Sequence, residues 1–463
     1  MTMDTSLRVP ADLLRRFDVT GPRYTSYPTA DRFTPAYNAD IHRGWLEKRS
    51  AQTVRTPLSL YVHLPFCQSI CYYCACNKII TRDRSRSARY VGYLEREIEL
   101  QAPLLGDARD AVQMHWGGGT PTFLSDQEMA RVFAAVRRNF RLHDEGEYSI
   151  EIDPRTLRAD TLELLRELGF NRLSFGVQDF DPEVQRAVHR IQDERQTSDA
   201  IARARQMGFS SINVDLIYGL PKQHVIGFHR TLARVIECAP DRIALYSYAH
   251  LPTVFKPQRM IHEADLPGAE GRVELLSLAI RQLTAAGYLY IGMDHFARPD
   301  NELAAAQREG RLHRNFQGYS SHAQSDLLGF GISAIGQLAS TYSQNVKTLD
   351  EYYERLERGV LPIARGIELT ADDLVRRAVI QNLMCHFELP LQSFETVHSI
   401  EFEEYFRQEL VELQPFVDAG LLCRDPRSLT VSQLGRFFIR NICMVFDRYL
   451  RERREQVRYS KAV

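Results

Sequence analysis

Residues 59–78 read SLYVHLPFCQSICYYCACNK, an apolar run that passes directly into a loop carrying cysteines at 67, 71, 74 and 76. In the first half Leu60, Val62 and Leu64 alternate with Tyr61 and His63, so the period of a strand puts Tyr61 and His63 together on one face. Five more short apolar segments follow: VQMHWGG (112–118), YSIEID (148–153), RLSFGVQ (172–178), INVDLIYG (212–219) and RIALYSYA (242–249). Between them lie helical stretches at 89–101, 126–140, 155–169, 194–208 and 224–239, two of which stop at a glycine, in LGF (168–170) and MGF (207–209). Strand and helix in alternation imply parallel strands joined by right-handed crossovers. The fold class is therefore α/β, with a partial or full TIM-like (β/α) barrel favoured over a doubly wound sheet, which alternation alone does not separate.

Outward from this core the pattern changes twice. Residues 1–50 read as an irregular arm, with GPRYTSYPTADRFTPAY (21–37) rich in Pro, Thr, Ser and Tyr. Residues 51–369 form the barrel region. Residues 370–463 read as a mostly helical C-terminal domain, with helices at 370–387, 402–420 and 433–453 and a hairpin, LLCRDPRSLTVS (421–432), between the last two. The 463 residues carry 58 Lys and Arg against 59 Asp and Glu, a net charge of −1. That balance argues against a nucleic-acid or anionic-membrane binder, while a local basic patch for an acidic small molecule is compatible with it. The first twenty residues show no signal peptide, and no apolar run approaches the roughly 18 residues of a membrane helix. A cytoplasmic protein without a membrane span is expected.

Eight cysteines divide into a cluster of four and singles at 238, 385, 423 and 443, which read as small apolar packing residues. The trio Cys67-x3-Cys71-x2-Cys74 at a strand end can wrap a loop around three corners of a [4Fe–4S] cubane. Structural zinc prefers two separated pairs, and no second pair with suitable spacing follows. Zinc stays open as the lesser alternative, and if three thiols bind a cluster with its fourth iron open, one cysteine is surplus.

With Tyr73 immediately before its last cysteine, the trio resembles the signature of the radical S-adenosylmethionine (SAM) superfamily. HWGGGTPTFL (115–124), EIDPRTL (151–157), RLSFGVQDF (172–180), HRIQ (189–192), NVDLIYGLP (213–221), NFQGYS (315–320) and FIRNICMVFD (438–447) narrow the likeness. Together they resemble the oxygen-independent coproporphyrinogen III oxidase family, from the RYTSYP arm to the C-terminal domain. The resemblance implies a partial barrel of the radical SAM type, a [4Fe–4S] cluster on Cys67, Cys71 and Cys74, and SAM on the open iron. A related haem chaperone group, which would bind haem without turning over coproporphyrinogen, shares the barrel motifs. It typically lacks the fourth cysteine and the arm, and both are present here.

The remaining candidates combine residue chemistry with that likeness. A glycine run after a strand is by itself a tight turn, but exposed amides behind a cysteine loop suit the amino-acid end of SAM. The resemblance assigns Gly118 to the SAM on the cluster, and Gly119 and Thr120 to a second SAM. Glu151 is an acid in an apolar strand, sharing a face with Ser149 and Asp153 opposite Ile150 and Ile152. It is either a structural ion pair or, as the resemblance implies, a SAM contact. Gln178, Arg190 and Asp215 sit at or near strand ends, where such barrels collect chemistry. The resemblance puts them, with Tyr73 and Ala249, near the second SAM. An isolated Tyr61 or His63 is more often a satisfied core residue, yet the position before the cysteine loop matches Tyr61 to a tyrosine packed on SAM. Ile335 matches an apolar SAM contact and Gln317 a substrate contact. Tyr61, Glu151 and Gln317 are the candidate catalytic residues. Arg23 and Tyr24 are candidates for closing the arm over a carboxylated substrate.

The implied reaction is reductive cleavage of SAM to methionine and a 5′-deoxyadenosyl radical, which takes a β-hydrogen from a propionate of coproporphyrinogen III. Loss of CO2 and one electron leaves a vinyl group. Two such events, on rings A and B, give protoporphyrinogen IX. The resemblance further implies a monomer served by a separate electron donor and acceptor.

Overall fold

All six apolar segments become neighbouring parallel strands, because each carries an apolar face for the helices outside and a second face turned inward. They are β1 (Leu58–Leu64), β2 (Asp110–Gly118), β3 (Arg141–Ile152), β4 (Arg172–Gln178), β5 (Ser211–Tyr218) and β6 (Arg242–Ser247). This computed structural model describes residues 9–452 other than 18 and 159, together with residue 459. Residues 1–8, part of the stretch read for a signal peptide, and Arg453 of the last expected helix lie outside these.

Six further strands extend the sheet where the alternation gave no signal. They are β7 (Leu289–Gly292), β8 (His295–Ala297), β9 (Asp326–Phe330), β10 (Ile335–Leu338), β11 (Thr341–Asn345) and β12 (Ile363–Glu368). The order across the sheet is β12-β11-β10-β9-β1-β2-β3-β4-β5-β6-β8-β7. β9 joins β1 in parallel, while β8 and β10–β12 run antiparallel to their neighbours. The barrel is partial, as expected.

Outward side chains make the core. Val62, Trp116, Ile150, Phe175, Val214 and Leu245 are all fully buried. Trp116 packs edge-on against Phe170 at 5.0 Å between ring centres and beside Phe133 at 6.2 Å, the latter from the helix Asp126–Asn139. That helix opens on a capping box between Ser125 and Glu128. Gly169 ends the helix Thr161–Leu168 in the left-handed conformation (φ +106°), which its lack of Cβ permits.

Four readings need correction. The expected helix over 155–169 forms only over Thr161–Leu168, and that over 402–420 breaks at Phe406 into Phe402–Tyr405 and Arg407–Asp418. The arm is not irregular throughout: Ala11–Phe17 and Ala39–Ser50 are helices. The second is capped by Asn38, whose side chain accepts from the backbone N–H groups of Asp40 and Ile41. Its Arg49 is buried and donates to Asp326 (2.7 Å), tying the arm to the start of β9. The expected single helix over 433–453 is broken into Gly435–Phe438, Ile439–Val445 and Arg448–Glu452. The last break has a local cause. Asp447 turns its carboxylate inward to accept from the N–H groups of Tyr449 and Leu450, starting a new helix. The hairpin pairs Leu422–Arg424 with Ser428–Val431, and Glu388–Pro390 adds a third strand.

Asp447 also receives the hydroxyl of Tyr24 (3.0 Å), which is 1% exposed, so this residue anchors the arm to the C-terminal domain. Burial, foremost, pushes the Asp447 carboxyl up to about 6. Tyr24→Phe is expected to lower the free energy of unfolding by about 1–2 kcal/mol, the range for removing a hydrogen bond from a buried acceptor. Urea denaturation at neutral pH checks this.

Candidate active site

The inward faces of the parallel strands are polar where the outward faces are apolar. Register places Tyr61 beside His115, His115 beside Ser149, Glu151 beside Ser174 and Gly176 beside Asp215. Because buried polar groups are costly unless paired, these side chains satisfy one another. Tyr61 bonds His63 Nδ1 (3.0 Å), and its ring lies parallel to that of His115 at 6.1 Å. His115 Nδ1 meets Ser149 Oγ at 2.6 Å, and its Nε2 lies 3.5 Å from Glu151 Oε1. Asp215 accepts from Ser174 Oγ (3.0 Å) and Asn213 Nδ2 (2.8 Å). His63, also inward, places Nε2 2.9 Å from the carbonyl oxygen of Asn77, at the far end of the cysteine loop.

At the carboxyl ends of these strands a cleft opens. Cys67, Cys71, Cys74 and Cys76 line it, together with Tyr73, Gly118, Gly119, Thr120, Glu151, Gln178, Arg190 and Asp215. All four thiols are free. The loop that carries them is pinned at both ends, since Phe66–Cys67 pairs in parallel with Ile79–Ile80. Gly118 N–H points at Glu151 Oε2 (3.2 Å) with φ +112°, a conformation that favours glycine. A Cβ at this position would lie 2.5 Å from the His63 ring. Gln178 closes β4 at φ +68°, an uncommon value for a residue with a side chain.

The thiols differ in their surroundings. Burial pushes Cys67 up to about 11, although Thr120 Oγ1 donates to its sulfur at 3.5 Å. Cys74 is held down at about 6, first by the Cys76 thiol beside it and then, against the effect of burial, by Lys78. Cys71 faces two guanidinium groups, Arg155 Nη2 and Arg190 Nη1, each 3.6 Å away. Among the described residues no three His, Cys, Asp or Glu side chains converge on a point suited to a single metal ion. The three thiols instead border a wider space.

A second chamber continues inward past Glu151, Ser174, Asp215 and Tyr246, which line both spaces. Gln317 lines it with His115, Arg172 and His295, and its buried Nε2 has no hydrogen-bond partner among the described residues. Three expected site residues line neither space. Tyr61 lies deeper, beside His63 and His115. Ala249 follows β6 and gives its carbonyl to Gln258 Nε2 (3.0 Å), which also holds the Tyr73 carbonyl (3.0 Å). Ile335 begins β10, beyond β9, and borders neither space. Asp215 sits within β5 rather than at its end. Arg23 reaches the barrel mouth, donating to Ser247 O (2.6 Å) at the end of β6, and lies 3.4 Å from Asp294.

Comparison with known proteins agrees with this architecture. A profile for the radical SAM superfamily matches residues 61–235, and one described as the HemN C-terminal domain matches 369–438. A Pseudomonas aeruginosa protein named oxygen-independent coproporphyrinogen III oxidase is 49% identical over 465 residues, covering all of both chains. The chain belongs to the oxygen-independent coproporphyrinogen III oxidase family. A member from Escherichia coli is 47% identical, covering 97% of this chain and 98% of its own. A solved structure described as coproporphyrinogen III oxidase (HemN) from Escherichia coli, a radical SAM enzyme, superposes with a TM-score of 0.91. The match covers 97% of this chain and all of that one at 46% identity. The cofactors of this family are a [4Fe–4S] cluster and SAM, and its members are oxidoreductases.

Within this family site, sequence reasoning passed over His115, Asp153 as an ion-pair partner, and Arg155. A usable signal was present for the last two, because Asp-Pro directly after an apolar strand marks a capped turn at the cleft rim.

Burial, and then the charge of Glu151, pushes the Asp215 carboxyl up to about 6. A folded-state value above the unfolded one means stability that is present below about pH 4 and lost as pH rises through 6. Asp215→Asn is expected to remove that loss, which is on the order of 2 kcal/mol. Urea unfolding of the cluster-free protein at pH 4.5 and pH 7 measures it.

Proposed function

We propose that this chain catalyses the oxygen-independent oxidative decarboxylation of coproporphyrinogen III, converting the ring A and ring B propionates to vinyl groups and giving protoporphyrinogen IX. The observation that carries this reading is the single cleft in which three loop cysteines, the Gly118–Thr120 ribbon, Glu151 and Asp215 come together. That cleft lies in a chain alike, end to end, to proteins named for this substrate.

Cys67, Cys71 and Cys74 hold the [4Fe–4S] cluster. The donor set suits it, since the thiols are free, border one space and face donors and cations that offset thiolate charge. When bound, the cluster and SAM supply the one-electron chemistry that removes a hydrogen atom from the substrate. The protein's own residues orient and enclose. Gly118 and Glu151 hold the amino-acid end of SAM, with Glu151 fixed in turn by His115. Tyr61, Ala249 and Ile335 are read as SAM contacts from the family resemblance, although none of the three lines the cleft. Tyr73, Gly119, Thr120, Gln178, Arg190 and Asp215 line room for a second SAM. Gln317 meets the substrate in the inner chamber with its unpartnered amide, and Arg23 meets it at the mouth.

Each propionate –CH2–CH2–COO⁻ loses one hydrogen atom, CO2 and one electron to become –CH=CH2, so no general acid or base is required at the reacting carbon. The electron needed for SAM cleavage and the one released come from and go to separate partners. The chain acts as a monomer, as the family resemblance implies. It works in the cytoplasm, where a reducing environment keeps such thiols available.

Anaerobically reconstituted protein given SAM, reductant and coproporphyrinogen III is expected to form protoporphyrinogen IX, methionine and 5′-deoxyadenosine. SAM cleavage without vinyl formation, read by chromatography and mass spectrometry, would sink the substrate assignment while sparing the superfamily chemistry. Replacing Cys67, Cys71 or Cys74 by Ser is expected to abolish iron binding, and Cys76→Ser to retain it. Iron and sulfide content decides the point.

A further inference from the structure

A short turn brings a second cation to the middle cysteine. Asp153, the residue after β3, caps the turn Pro154–Thr156 by accepting Arg155 N–H at 3.1 Å. The same carboxylate takes Arg155 Nε (3.0 Å) and Nη2 (2.7 Å), so the side chain folds back over its own turn. The guanidinium is therefore held inward, 16% exposed, with Nη2 3.6 Å from Cys71 Sγ. Arg190 approaches the same sulfur from another side. It is shared between Asp153 (3.3 Å) and the Gly176 carbonyl (2.5 Å). Burial alone would raise the Asp153 carboxyl, but Arg190 and Arg155 hold it below the usual range, so the anchor carries its charge. The other two thiols have different company. Cys67 receives a neutral hydroxyl, while Cys74 has one ammonium beside it, Lys78, which also donates to the Cys74 carbonyl at 3.0 Å, and no guanidinium pair among the described residues.

We propose that Arg155 is a positioning residue for the iron–sulfur cluster: clamped by Asp153, it donates a charge-assisted hydrogen bond to the Cys71 sulfur and raises the cluster's reduction potential. This rests on the reading that Cys71 is a cluster ligand. The physical reason is charge. Reduction adds an electron to a thiolate-bound cluster, and a fixed cation at one ligand sulfur stabilises the reduced state more than the oxidised one. Because Asp153 already orders the guanidinium, little conformational entropy is lost when the hydrogen bond forms.

The test is an EPR-monitored redox titration of the anaerobically reconstituted full chain, wild type against Arg155→Met, Arg155→Lys and Arg155→Gln. Arg155→Met with full iron and sulfide is expected to show a lower midpoint potential, and Arg155→Lys to recover part of the difference. An unchanged midpoint in Arg155→Met overturns the proposal. If Arg155→Met holds no cluster, Arg155→Gln decides, with a lowered midpoint in support and an unchanged one against. Loss of the cluster from all three variants, each folded by circular dichroism, would assign Arg155 to assembly and overturn the role in potential. A Cys71→Ser variant that keeps a full cluster would instead remove the ligand reading itself, which is a separate failure.

Discussion

The exits of β1 and β2 are clamped backbone to backbone. Gly119 N–H donates to Leu64 O at 2.9 Å, and Thr120 N–H to Phe66 O at 2.8 Å. A methyl group on Gly119 would stand 2.6 Å from the Pro65 carbonyl carbon, closer than real Cβ contacts come, so only glycine permits the approach. This contact brings the base of the cysteine loop against the glycine ribbon. Thr120 consequently reaches Cys67, and Gly118 turns its N–H toward Glu151. The remaining parts of the cleft are arranged around that junction by the register of β3, β4 and β5.

A barrel interior lined by Tyr61, His115, Glu151, Ser174 and Asp215 is an expensive arrangement unless the polar groups meet each other. Here they do so in short local networks that hold each side chain in place before any ligand arrives. Gln317 in the inner chamber has a side-chain Nε2 without a hydrogen-bond partner among the described residues. Such a site is preorganised at the rim, where SAM chemistry is proposed, and keeps a free donor deeper, where a substrate side chain could be read.

Much of this was legible in single segments. The alternation in SLYVHLPF placed Tyr61 and His63 on one face, and the two are indeed hydrogen-bonded there. The same parity put Glu151 with Ser149, opposite the buried Ile150 and Ile152. Legibility failed where structure is made by partners rather than by period. β9–β12 are short and interrupted, and they gain their strand character from pairing. The arm's anchor to Asp447 depends on a tyrosine 423 residues away in sequence. Tyr24 was a candidate, with Arg23, for closing the arm over a carboxylated substrate, and its hydroxyl is bonded to Asp447 inside the fold.

The sequence by itself determined the order of the six parallel strands and the helices between them, their inward and outward faces, and a cysteine spacing suited to three corners of a cluster. These are local periodicities and short loops, written within a few residues of one another. Only the tertiary structure decided which charges surround each thiol. Cys71, the Asp153–Arg155 turn and Arg190 lie on three separate connections, and parallel register delivers all three to the same end of the sheet. The opening cluster of four cysteines thereby resolves into chemically distinct thiols, since electrostatic surroundings follow distance in space and not separation along the chain.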